Sequence, residues 1–427
     1  MASLSRSRVT PLLRSSLGQT GFLFGIDSLT NLIDYGFHIF LGRVLVPGDF
    51  AMVQTVNAIL LVVVTTFAVM QPVVARYVAE GAVDESAENR DRAVFQTFFN
   101  WSIVLGLGLA LLTFVVQKPL GSLLNIPAAA VSLSAVMVLL ALLRPVVAGT
   151  LQGQQRFIAF GLIRLSYAAN RFIIAAVLIG MGAAGLGAVA AMPIGSALAL
   201  VSGLFFLGRA VWRRAPALPT DLVKSGLRLS TAAFIAYAAY MGLQSSDLIW
   251  VNRFFESNIA GSYAAAVLLR RVLALLPGVV TIIMYPRVVT LITQQQLPDR
   301  LLAKSLALIT GSNLLLSAVY LLFNEPIVRL MFGGQYSSAA ALLPGMALAM
   351  VGYGIAVVWL NLYLATNPGL FVLLLAATVI LQNLLLAIFH QTPQQVVAIF
   401  SLSGWALAIG GTVLYFGRLR PALKNQL

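Results

Sequence analysis

Long apolar runs recur along this chain, separated by short polar connections. A hydrocarbon core of about 30 Å asks for roughly 20 apolar residues at 1.5 Å rise each. Twelve stretches meet that requirement: 17–40, 50–75, 95–117, 128–151, 158–181, 185–208, 227–250, 260–284, 303–323, 339–364, 369–390 and 395–416. Their Gly-, Ala- and Leu-rich interiors predict helices that pack closely through small residues. Transmembrane strands would be shorter and would alternate apolar with polar residues, which these runs do not. The first run is too long for a cleaved signal, carries two Asp and lacks a clear small-residue cleavage site. The pattern predicts an all-α integral membrane protein of about 12 transmembrane helices.

Composition agrees. Of 427 residues, 60% are hydrophobic and 9% charged, too few charges to cover a soluble protein of this length. The absence of cysteine excludes disulfides, thiolate chemistry and Cys-based metal sites. His38 and His390 stand far apart without a ligand-spaced companion, so no metal site is expected. No GxxxxGK[ST] loop occurs, which leaves direct ATP coupling unsupported, and no cofactor is expected.

The net charge of +14 raises the question of nucleic acid. Its distribution answers it. With the N-terminus inside, 19 Lys and Arg fall in cytoplasmic segments, four in outside loops (Arg43, Lys118, Arg253, Arg329) and four within spans (Arg144, Arg171, Arg270, Arg271). That asymmetry follows the positive-inside rule and predicts a multi-pass protein of the inner (plasma) membrane with both termini cytoplasmic. The basicity suits anionic membrane lipids rather than nucleic acid.

The longest interior polar connection runs from Arg209 to Arg228 and divides the spans six and six. The expected domains are a first lobe at 1–208, a cytoplasmic linker at 209–226 and a second lobe at 227–427. Two halves of the same inside/outside sense would be parallel repeats. Three matches in the same order support duplication. Arg43 stands eight residues before Ala51 and Arg253 eight before Gly261. Pro72 with Arg76 answers Pro286 with Arg287, and KPLGSLL (118–124) answers EPIVRLM (325–331). No outside loop exceeds about 18 residues, so no sizeable extracellular domain is expected to hold a catalytic site. The acidic loop at 80–92 reads most simply as a solvated helix end.

Several segments resemble the multidrug/oligosaccharidyl-lipid/polysaccharide exporter superfamily, and within it the oligosaccharide flippase branch. They are FLGRVLVPGDFAMVQ (40–54), LQGQQRF (151–157) and SNIAGSYAAA (257–266), and the six-and-six layout agrees over nearly the whole chain. The resemblance implies two pseudo-symmetric six-helix bundles around a V-shaped central cavity that work by alternating access. It also implies a polyprenyl-(pyro)phosphate-linked oligosaccharide as cargo, moved from the inner to the outer leaflet.

Polar groups at membrane depth carry the remaining information, because each costs roughly 2.5–3.5 kcal/mol on insertion scales. Asp27, Asn31, Asp34 and His38 recur at helical spacing on one stripe of the first span. The stripe fits a cavity wall with Asp27 or Asp34 as candidate H⁺ or Na⁺ ligands, or a polar seam bonded to neighbouring helices. The seventh span repeats the device with Tyr237, Tyr240, Gln244 and Asp247, where the tyrosines would stack on sugar rings and Asp247 is a further candidate for ion coupling. Arg270 and Arg271 sit about 15 Å into the eighth span by helical rise. A guanidinium fork suits phosphate oxygens, and adjacent residues point about 100° apart. The competing reading pairs them with Asp247, Asp34 or Asp27. Arg164 and Arg171 share a face of the fifth span, with Arg144 near the same side. They would attract a lipid pyrophosphate, or snorkel to headgroups. Candidate cargo-binding residues are therefore Arg270, Arg271, Arg171, Asn31, Tyr237, Tyr240 and Gln244.

A non-enzymatic flippase working with a polysaccharide polymerase complex is the leading expectation. A cation-coupled multidrug extruder of the same superfamily is the alternative, favoured by the acidic first span and disfavoured by the arginine pair. A membrane glycan polymerase would need the outside loop this chain lacks, and a scaffold would not account for buried Arg and Asp.

Overall fold

The computed structural model describes residues 16–81, 87–213, 215, 218, 220–367 and 369–426. Arg6, Arg8, Arg14 and Arg214 of the cytoplasmic cation count, and Asp84 and Glu85 of the acidic loop, lie outside that set. Among the described residues every regular element is a helix. In the first half they are α1 (Ser16–Val44), α2 (Pro47–Ala68), α3 (Met70–Gly81), α4 (Ala87–Val115), α5 (Gln117–Leu124), α6 (Ala128–Gly153), α7 (Phe157–Gly180) and α8 (Ala184–Leu207). In the second half α9 (Thr220–Phe254), α10 (Ser257–Arg271), α11 (Leu275–Thr293), α12 (Asp299–Leu322), α13 (Asn324–Phe332), α14 (Leu343–Ala365), α15 (Gly369–Ile388), α16 (Pro393–Leu414) and α17 (Arg420–Gln426) follow.

The halves match element by element. Each opens with a long helix (α1, α9), continues with a broken one (α2 with α3, α10 with α11) and then a straight one (α4, α12). A short helix follows in each, α5 of eight residues and α13 of nine. Three more spans close each half. The breaks in the second span have a common chemical cause. Pro72 lacks the N–H that would bond the Ala68 carbonyl, and α2 gives way to α3 at Val69. Pro277 likewise cannot bond Leu273, and the chain tightens into a 3₁₀ turn at Val272–Ala274. KPLGSLL and EPIVRLM, matched in sequence, are the bodies of α5 and α13.

Ten of the described helical stretches are long and apolar enough to cross a membrane. The expected spans missing from that set are α1 and α9, which carry the two polar stripes. Their polarity is what removes them. The fourth span of each half is the hub: α6 and α14 bury far more of their surface than their neighbours. Apart from a few polar positions such as Arg144 of α6 and Asn361 of α14, both are apolar over most of their circumference, as a helix enclosed by others must be. Glycine permits the contact. In α6, a Cβ at Gly149 or Gly153 would fall 2.5–2.6 Å from the carbonyls of Gln71 and Ala75 on α3.

The chain divides into two compact units. One takes the described residues up to Leu41 with Phe67–Ser122 and Pro127–Ser230; the other takes Gly42–Thr66, Leu123–Ile126 and Thr231–Leu427. The sequence division at 209–226 placed 42–66 in the first lobe, whereas packing groups it with the second unit. The reason is a pair of clasps. Arg43 donates from Nε to the Met331 carbonyl at 3.0 Å and from Nη2 to Leu330, capping the end of α13, while Gln335 donates to the Gly42 carbonyl at 2.9 Å. Phe50 packs on Phe332 and Tyr336, and Gly261 leaves room for Pro47. In the matching place, Asn252 at the end of α9 donates to the Leu124 carbonyl at the end of α5 at 2.8 Å.

Candidate functional site

A cavity of about 380 Å³ lies within the second unit. Its polar lining comes from α9 (Tyr237, Tyr240, Gln244), the broken helix α10/α11 (Arg270, Arg271) and α14 (Asn361), with Leu61 and Thr65 of α2 on one wall. Among the described residues the lining holds two guanidiniums and no carboxylate. The sequence stripe on α9 and the arginine pair thus meet around one space.

The polar atoms do not contribute equally. Tyr240 donates its hydroxyl to the Tyr353 carbonyl at 3.0 Å, so its ring is what it presents. The Tyr237 hydroxyl reaches Asn361 Oδ1 at 3.4 Å, and Asn361 Nδ2 bonds the Val357 carbonyl within its own helix. Behind the wall Asp247 is fully buried and Arg270 is 2% exposed. Arg270 grips both carboxylate oxygens: Nη1 donates to Oδ2, and Nη2 donates to Oδ1 at 2.9 Å and to the Gln244 carbonyl at 2.7 Å. Tyr263 adds a hydroxyl to Asp247 Oδ2 at 2.7 Å, and the Arg270 guanidinium lies 3.9 Å from the Phe400 ring centre. The bidentate pair is closed, hydrogen-bonded and charge-neutral. Of the expected alternatives for Arg270, the salt bridge to Asp247 is the one formed.

The first unit carries a second polar system. Asp27 and Asp34 of α1 face Arg164 and Arg171 of α7 at 2.6 and 2.5 Å, two rungs seven residues apart on both helices. The rungs are half-open, since both aspartates and Arg164 keep about 40% of their side-chain surface exposed. Arg171 is itself buried, its guanidinium 4.1 Å from the Phe37 ring centre and 5.3 Å from that of Tyr167. Arg144 stacks on the other partner, 4.3 Å from Tyr167, and reaches Ser196 Oγ at 3.3 Å. Nε of Arg144 and of Arg171 are buried without a hydrogen-bond partner. This cluster therefore holds three cations against two carboxylates.

Of the residues named from sequence, Tyr237, Tyr240, Gln244, Arg270 and Arg271 gather at the cavity. Asp247 stands behind them. Asp27, Asp34 and Arg171 form the rungs, and Asn31 is exposed on α1. His38 is buried beside Phe37, and His390 stacks on Phe254 at 3.7 Å. Sequence reasoning missed Asn361 and Thr65. Asn361 left a signal, a lone amide near the end of an otherwise apolar span. Thr65 left none, because Thr is common in such helices and its importance comes from where α2 docks. Among the described residues no group of three or more His, Cys, Asp or Glu could hold a metal ion.

The helical architecture and this polar interior define a membrane protein with the exporter fold. An inward-facing multidrug resistance MATE family transporter of the MOP superfamily superposes with a TM-score of 0.77 at 14% identity, covering 93% of this chain and 95% of the other. The lipid II flippase MurJ, in an inward closed conformation, gives a TM-score of 0.73 at 13% identity over 93% and 87% of the two chains. No curated protein matches the sequence. Residues 40–341 match the family described as polysaccharide biosynthesis protein, and the chain belongs to that family.

Proposed function

We propose that this protein is a flippase that carries a polyprenyl-(pyro)phosphate-linked oligosaccharide from the inner to the outer leaflet, without enzymatic activity, for cell-surface polysaccharide synthesis. The observation that carries the reading is the cavity of the second unit, lined by the Arg271 guanidinium, the Gln244 and Asn361 amides and tyrosine rings, with no carboxylate among its described lining. Phosphate oxygens suit the guanidinium fork and sugar faces suit the rings. Membership of the polysaccharide biosynthesis family and the fold shared with a lipid II flippase point the same way. The cation excess around Arg144 and Arg171 in the first unit adds a second attraction for an anionic head, with Asn31 on the neighbouring open face.

The extruder alternative asks for a carboxylate free to meet a cationic drug. Asp27, Asp34 and Asp247 each face an arginine instead. In the proposed cycle the two lobes alternate access across the inner membrane, with 42–66 moving as part of the second. Their termini and the 209–226 linker lie in the cytoplasm, and H⁺ or Na⁺ exchange at the half-open Asp27 and Asp34 is the candidate coupling step. A polysaccharide polymerase complex would take up the delivered glycan.

Deleting the gene tests the reading. Lipid-linked oligosaccharide should accumulate with its head group on the cytoplasmic face, while sensitivity to cationic drugs stays unchanged. Raised drug sensitivity without that accumulation would instead support the extruder. Single cysteines at Ser225 and Asn258 test the orientation in a background without cysteine. An impermeant thiol reagent applied to intact cells should label position 258 and spare 225; the reverse would overturn the topology.

A further inference from the structure

Resting on that reading of the cavity, we infer that Arg271 alone holds the anionic head of the cargo, and that Arg270 is a positioning residue whose closed pair with Asp247 aims Arg271 into the cavity. Arg270 has its Nη donors directed at Asp247 and the Gln244 carbonyl, with a ring beneath its plane. The Asp247 carboxylate cancels its charge at contact distance, and the Tyr263 hydroxyl completes that carboxylate. Nothing in this arrangement leaves Arg270 a free fork for phosphate. Arg271 is the next residue on the same helix and points about 100° away. It is partly exposed and lines the cavity, whose described walls carry no carboxylate. α10 ends at this residue, and the 3₁₀ turn at Val272–Ala274 follows directly. Locking Arg270 into the core therefore fixes the helix rotation just where the regular helix stops, and with it the direction of Arg271.

The neighbouring walls define what accompanies the anion. Leu61, Met241, Ile282 and Val357 are apolar, whereas Tyr237, Gln244 and Asn361 are polar. The recognised chemistry is a phosphate or pyrophosphate carried on a partly apolar molecule. A lipid-linked head and free pyrophosphate share that anion, and the experiment separates them.

Binding of geranylgeranyl pyrophosphate, geranylgeraniol and inorganic pyrophosphate to the purified full-length protein is measured by titration calorimetry, together with thermal unfolding. Wild type is expected to bind the isoprenyl pyrophosphate more tightly than either the alcohol or inorganic pyrophosphate. Arg271→Gln should weaken pyrophosphate-lipid binding about 10-fold or more, the scale of one lost charge-assisted contact. Its melting temperature and its affinity for the alcohol should not move, and Arg271→Lys should recover part of the loss. The triple variant Asp247→Leu, Arg270→Met, Tyr263→Phe removes the closed network without leaving a buried charge. It should lose part of the pyrophosphate-lipid binding through the lost aim of Arg271, but less than Arg271→Gln loses. If the triple variant does not fold, Arg270→Lys, which keeps a cation beside Asp247, makes the same comparison with Arg271→Lys, and the position-271 change should weaken binding more.

Wild-type affinity in Arg271→Gln would overturn the assignment, as would a folded triple variant that loses pyrophosphate binding as fully as Arg271→Gln does; unchanged affinity in the folded triple variant would overturn the aiming role of Arg270. Equal affinity for inorganic pyrophosphate, still lost in Arg271→Gln, would keep Arg271 as the anion ligand and overturn the lipid-linked cargo. A wild-type protein that binds none of the three would remove both.

Discussion

Two arginine–aspartate systems stand in this protein, and they differ in how water reaches them. In the second unit the Asp247–Arg270 pair is sealed, bidentate and supported by Tyr263 and a backbone carbonyl. In the first unit the Asp27–Arg164 and Asp34–Arg171 rungs make single contacts and leave their carboxylates about 40% exposed. A sealed pair cannot exchange partners without leaving a charge in a low-dielectric interior, so it acts as a fixed part. An open rung can trade its partner for a proton, a cation or an anionic head at far smaller cost. The same two side-chain types thus form a closed pair in one unit and water-accessible pairs in the other.

The strongest way to break this comparison is to remove one partner of the sealed pair. Asp247→Asn or Arg270→Gln should destabilise the protein by about 3–5 kcal/mol, the range for a stranded buried charge. Membrane abundance and melting temperature should both fall, and the charge-free triple variant should restore them. Wild-type melting in either single variant would show that the pair is not a fixed part.

Neutralising Asp34 should have an intermediate effect. Arg171 is 3% exposed and would keep only the rings of Phe37 and Tyr167, so a loss of about 1–3 kcal/mol is expected from the melting curve. The smallest effect belongs to Asp27 and Arg164, each about 40% exposed, where Asp27→Asn should cost about 1 kcal/mol or less. Its consequence should appear in transport rather than in folding. A charge-reversed pair, Asp27→Arg with Arg164→Asp, should melt like wild type and show an altered dependence of transport on pH or Na⁺. Unaltered ion dependence there would remove this rung from coupling.

How much of this could be read in the sequence follows from which interactions are local. The membrane helices could be, because apolar length is local. α1 and α9 stood out as polar-striped spans, and the same stripes keep them below the apolarity of the other ten. The matched segments KPLGSLL and EPIVRLM marked a repeat, and each proves to be a short helix in the same place of its half. The rungs were half visible. Asp27 and Asp34 are seven apart, and so are Arg164 and Arg171, but only folding brings α1 beside α7. For Arg270 the sequence left phosphate and Asp247 both open, since 23 residues of chain separate it from its partner. The docking of Pro47–Thr66 on the second unit was hidden entirely. It depends on Arg43 finding the carbonyl end of α13, a backbone target that no side-chain pattern announces.

Passage of an anionic, lipid-linked glycan through this protein can be followed directly by reconstitution. Purified protein in liposomes that carry a fluorescent polyprenyl-pyrophosphate oligosaccharide is mixed with a membrane-impermeant quencher of the head group. Protein-dependent movement of the label between leaflets is expected, fast against protein-free vesicles and reduced about 10-fold or more in Arg271→Gln, in step with the lost charge-assisted contact. Label movement no faster than in protein-free vesicles, with protein-dependent uptake of a cationic drug in the same preparation, would contradict that expectation.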